Sequence, residues 1–102
     1  MADLSEDELR AEFHGQTAQI SWRDLQPHYA RGAVVLVKPG LDLVEVALQL
    51  RRDNTEQFQR WMQEGEVAGV SDEQGLQLAQ DNPSLWTVVV APWVLVQLPA
   101  VA

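Results

Sequence analysis

Leu85-Trp-Thr-Val-Val-Val-Ala-Pro-Trp-Val-Leu-Val-Gln-Leu98 carries no charge, and the reading of this stretch decides the fold. An uncharged apolar run must first be weighed as a membrane span. Pro92 divides it near the middle, valine dominates where leucine would be expected, and no Lys or Arg flanks it, all of which oppose a membrane helix. Read as extended chain, one face carries Trp86, Val88, Val90, Val94, Val96 and Leu98. The other carries Leu85, Thr87, Val89, Ala91, Trp93, Leu95 and Gln97. Both faces are mostly apolar, the mark of a strand covered on each side. Proline cannot donate to a sheet ladder, so Pro92 is expected to mark a bend between two strands.

Upstream, helix starts are legible as capping signals. Ser5 with Glu8 forms a capping-box pattern with Leu4 and Leu9 as its hydrophobic staple, and Leu9 and Phe13 continue the apolar face. Ser21 with Asp24 repeats the signal, with Ile20 and Leu25 as staple; Pro27 is expected to kink or restart that helix, and Gly32 to end it. Ala33–Lys38 is β-branched and apolar and ends at the turn Pro39-Gly40, which predicts a strand. Asp42 with Glu45 opens a third helix whose buried face is Leu43, Val46, Ala47 and Leu50. Asn54 with Gln57 opens a fourth, with Phe58, Trp61 and Met62 as its stripe and Gly65 as its stop. A short strand is expected over 66–70. Ser71 with Gln74 then opens a fifth helix that Asn82-Pro83 ends.

The order is therefore α-α-β-α-α-β-α-β, an α+β fold with a mixed three- to four-stranded sheet and about five helices; a small α/β layer is the alternative. The 102 residues show no repeat and no linker, so one domain spanning 1–102 is expected. So little chain has scant material to cover both faces of an apolar sheet. A homodimer with a two-fold interface is the expected remedy.

Seven Lys and Arg oppose fifteen Asp and Glu, for a net charge of −8 and a pI near 4.5. Direct binding to nucleic acid or to an anionic membrane needs a basic footprint that this chain lacks. The absence of cysteine excludes disulfides, thiolate metal sites and thiol nucleophiles. The acidic opening without an apolar segment shows no secretory signal, and a cytoplasmic location is expected. The charge is uneven: residues 20–52 are net positive, residues 53–81 hold seven acids against Arg60 alone, and residues 82–102 hold none.

Each chemically suggestive residue has a structural competitor. Asp42 and Glu45 stand three apart on a helix face, a spacing suited to acid–base work or metal binding, yet also that of an N-cap and its N3 partner. Asp53 is a third candidate acid. His14 and His28 lack a third ligand at metal-site spacing. No phosphate-binding glycine loop occurs, so no cofactor, metal or catalytic group is assigned. Arg51 and Arg52 suit the negative end of a helix, but with Arg23 and Arg31 they could form an anion-binding patch. Trp22 and Trp93 are candidate surface anchors, since tryptophan is enriched where proteins meet. The candidate interaction or ligand patch is thus Trp22, Arg23, Arg31, Asp42, Glu45, Arg51, Arg52 and Trp93.

The string Val90-Ala91-Pro92-Trp93-Val94-Leu95-Val96-Gln97 resembles an uncharacterised family of small bacterial proteins, domain of unknown function family 2288. So do Leu41–Ala47, Asp53, Trp61 and Ser71-Asp72-Glu73-Gln74, and upstream Gln16-Thr17-Ala18, Ser21-Trp22 and Leu25. The resemblance implies a bacterial protein of about this size and supplies no activity, ligand or functional residue. Three functions are weighed: a cytoplasmic protein-interaction or regulatory module, a binder of anionic small molecules or small enzyme using Asp42, Glu45, Arg51 and Arg52, and an acidic decoy for a nucleic-acid-binding partner.

Overall fold

β5 (Trp93–Gln97) occupies the middle of a five-stranded mixed sheet in the computed structural model, which describes residues 5–99. The elements preceding it are α1 (Glu6–Gln16), β1 (Ala18–Ser21), α2 (Trp22–Ala30), β2 (Val34–Val37), α3 (Leu43–Arg51), α4 (Thr55–Gln63), β3 (Val67–Gly69), α5 (Asp72–Asp81) and β4 (Ser84–Val90). The strand order is β1-β4-β5-β2-β3, with β5 parallel to β2 and every other pair antiparallel.

The fold is α+β with five helices, as expected, but with five strands rather than three or four. The added strand is β1. Ala-Gln-Ile-Ser has neither a β-branched run nor a buried alternation, and it becomes a strand by pairing with β4 from Ala18–Thr87 to Ser21–Ser84. Pro92 does separate two strands. The faces expected for a continuous strand change there, because Val90 pairs with Trp93 and Val88 with Leu95 across a two-residue turn with a cis Ala91–Pro92 bond. Residues directly opposite each other share a face. Trp93, Leu95 and Gln97 therefore lie with Trp86, Val88 and Val90, and Val94 and Val96 lie with Leu85, Thr87 and Val89.

Helices of the same chain cover both faces. Phe13 from α1, Val44, Val46 and Ala47 from α3, and Trp61 from α4 pack on Val37, Val67, Val88 and Leu95. On the other side Trp22 and Leu25 from α2 and Leu78 from α5 pack on Val34, Leu85, Val94 and Val96. The premise that a second copy must cover a bare sheet face is thereby removed.

Helix ends explain much of the loop sequence. Ser71 and Gln74 close a full capping box, while Ser5, Asp42 and Asn54 each accept one backbone N–H. Leu4, the outer half of the first staple, lies outside the described residues. Ser21 makes no cap bond. Instead Asn82 Oδ1 accepts from the Arg23 N–H at 3.0 Å, and the Pro83 carbonyl accepts from the Trp22 N–H at 2.9 Å, so the end of α5 caps α2. Nor does α2 restart at Pro27: the helix runs unbroken past it, and the carbonyl four residues back, to which a proline cannot donate, belongs to the exposed Arg23. Gly32, Gly65 and Asp53 stand just past the ends of α2, α4 and α3 with φ of 73°, 75° and 60°. Each lies in a paired hydrogen-bond closure of the helix C-terminus, as with Gly32 to Tyr29 and Ala33 to His28.

Candidate interaction groove

The eight residues of the expected patch are dispersed. Arg51 and Arg52 end α3 on one side of the sheet, whereas Arg23 lies in the first turn of α2 and Arg31 at its end on the other, so no four-arginine anion site forms. Arg52 reaches Glu6 at 3.3 Å, and the Arg31 guanidinium meets His28 Nδ1. Asp42 Oδ1 is occupied as the cap of α3. Glu45 accepts from Gln49 at 2.9 Å and from Arg10 at 2.7 Å, joining α3 to α1. Donation from Gln49, and after it from Arg10, holds the Glu45 carboxyl below the ordinary carboxylate range. Asp53 serves the end of α3. Of the candidate acids, the Asp42 and Glu45 carboxylates are thus engaged within the chain, whereas Asp53 contributes through its backbone.

Trp22 is 1% exposed, a core residue whose indole N–H has no partner among the described residues. His14 and His28 stand on helices at opposite faces of the sheet, and among the described residues no cluster of three metal-ligating side chains occurs. No helix of the described residues is long and apolar enough to cross a membrane.

Trp93 remains. It begins β5, 41% exposed, and forms one wall of an apolar groove of about 370 Å³. Leu50 of α3, Phe58 and Met62 of α4, and Val35, Val67 and Gly69 are among the other residues that line it. The helical stripe Phe58-Trp61-Met62 is unevenly covered: Trp61 is buried, Phe58 half-buried and Met62 54% exposed. The cause is position, since α4 packs beside β3, where the sheet ends after three residues and leaves the stripe overhanging. Gly69 widens the gap, for a Cβ there would meet nothing within 4 Å. Sequence periodicity marked these helix residues as apolar and could not show that the sheet stops beneath them.

Residues 8–98 match the profile of a family described as Protein of unknown function (DUF2288). The chain belongs to this family. A solved structure described as the NMR solution structure of PA1075 from Pseudomonas aeruginosa is similar to this DUF2288 chain, with 42% identity and a TM-score of 0.80 over 99% of this chain and 93% of that one. None of the curated proteins matches. The function of the chain, like that of the DUF2288 family, is unknown.

Proposed function

We propose that this chain is a cytoplasmic protein-interaction or regulatory module whose contact surface is the Trp93–Met62 groove. The observation that supports the reading is the groove itself: a tryptophan and a methionine, each about half exposed, line one apolar groove at a sheet edge. Tryptophan supplies large contact area at interfaces, and an unbranched methionine adapts to an incoming surface. The competing small-molecule reading loses support because Asp42, Glu45 and Arg52 already bond within the chain. The test is affinity capture from lysate with wild type and with Met62→Asp, a change at an exposed position that leaves the core intact. A protein retained by wild type and lost by Met62→Asp supports the groove; identical capture by both removes it.

We also propose a homodimer, formed away from the groove, because Leu76 of α5 is 63% exposed and Val89, on the α2/α5 face of β4, is 52% exposed. Sedimentation across micromolar concentrations is expected to show a species of twice 11.4 kDa. A single 11.4 kDa species throughout removes the dimer.

A further inference from the structure

We infer that the open edge of β3 receives an extended segment of a basic partner protein as a sixth strand, an inference that rests on the groove being an interaction surface. β3 ends the sheet, and its ladder with β2 uses only alternate residues. The Lys38 N–H donates to the Glu66 carbonyl, which makes Lys38–Glu66 a hydrogen-bonded pair. Given the register of Val37 opposite Val67 and Leu36 opposite Ala68, Leu36–Ala68 is the next such pair. Val67 and Gly69 therefore turn their N–H and C=O groups outward, toward the open edge.

The surroundings of this edge suit an added strand. On one sheet face lies the apolar groove of Trp93, Phe58 and Met62; around the strand end, sharing Gly69 and Val34 with it, lies a second depression of about 390 Å³ lined by Tyr29 and Asp72. Side chains of an extended segment alternate between faces, so every second one enters the groove and those between reach the Asp72 side. The missing side chain of Gly69 leaves open the space that an approaching backbone needs.

Charge selects the partner. Glu64 and Glu66 precede the strand, Asp72 and Glu73 follow it, and no Lys or Arg occurs after Arg60. A second copy would bring the same acids against themselves, whereas a segment alternating apolar residues with Lys or Arg would neutralise them. The edge also lacks the inward charge or proline that commonly protects a sheet margin.

The test uses the isotope-labelled full chain and three seven-residue peptides: valine and leucine alternating with lysine, the same composition with the lysines grouped at one end, and the alternating pattern with glutamate for lysine. The alternating lysine peptide is expected to shift the Trp93 indole and Met62 methyl signals and to slow amide exchange at Val67 and Gly69 about tenfold at saturation. Both effects should fade as salt rises. Gly69→Pro, which removes an outward N–H but leaves the Leu36–Ala68 pair, is expected to keep the β2–β3 signals and lose binding. Shifts at Trp93 and Met62 without slowed exchange at Val67 and Gly69 overturn strand addition and leave the groove standing. Equal response to the grouped-lysine or glutamate peptide overturns the stated partner chemistry. Silence at both edge and groove overturns this inference and leaves the groove reading to the Met62→Asp capture. Concentration-dependent protection of Val67 and Gly69 in the free protein assigns the edge to a second copy and overturns it as well.

Discussion

Replacing Gly75 by alanine probes the tightest seam in the molecule. In an ordinary helix interior the change favours folding by about 0.8–1 kcal/mol. In α5 the new Cβ would lie 2.5 Å from Tyr29 Oη and 2.7 Å from its Cζ, well inside van der Waals contact. The ring is held where it is: it packs on Trp22 with centroids 5.3 Å apart, and its hydroxyl reaches the Ser71 carbonyl at 3.5 Å. Overpacking of this kind costs about 1–3 kcal/mol. Gly75→Ala is therefore expected to lower stability by up to about 2 kcal/mol once the helix gain is subtracted. Removing the obstacle should reverse the sign. In a Tyr29→Ala background, Gly75→Ala is expected to stabilise by about 1 kcal/mol relative to Tyr29→Ala alone, raising the midpoint by about 4–8 °C for a chain of this size. Urea unfolding of the four proteins, followed by tryptophan fluorescence, closes the cycle and should give a coupling of about 1–3 kcal/mol. If Gly75→Ala stabilises the wild type by the full helix increment, the seam is not as described.

The helix ends and the α1–α3 ion pairs give three further expected outcomes. Ser21→Ala is expected to change stability by less than about 0.5 kcal/mol, because its side chain caps nothing. Asn82→Gly, which tolerates the 42° φ but loses the bond to the Arg23 N–H, should cost about 0.5–1.5 kcal/mol, the net worth of one hydrogen bond; equal costs in denaturant titrations would contradict the assigned cap. Glu45 has a depressed native pKa, so its stabilisation is present above the unfolded carboxylate value of about 4.3 and is lost as pH falls through the lower native value. Glu45→Gln is expected to narrow the stability difference between neutral and strongly acidic pH by about 0.2–1 kcal/mol, the modest size that suits a partly exposed pair. Superimposable pH–stability curves for the two proteins would refute the pairing.

Local signals in the sequence carried far. Ser71-Asp72-Glu73-Gln74 specifies a helix start by itself, and the valines on both sides of Pro92 announce strands buried on two faces. What stayed hidden depends on partners distant in the chain. β1 is a strand only because β4 lies beside it, and Ser21 yields its capping role to Asn82 because the end of α5 arrives there first. The candidate site was legible in one residue, Trp93. Met62 and Phe58 showed as apolar, but their exposure follows from where the sheet stops, a property of the whole strand order. The arginines looked like a group because they are close in sequence; the sheet between α2 and α3 separates them.

The central place of β5 shapes how the protein comes together. Apart from that strand, the sheet is two separate ladders, β1 with β4 and β2 with β3. They become one only when residues 93–97 slot between them, joining the parallel partner β2 from far back in the chain. A nascent polypeptide must therefore hold its valine-rich segments in waiting until those residues emerge, and assembly by such distant pairing is slow.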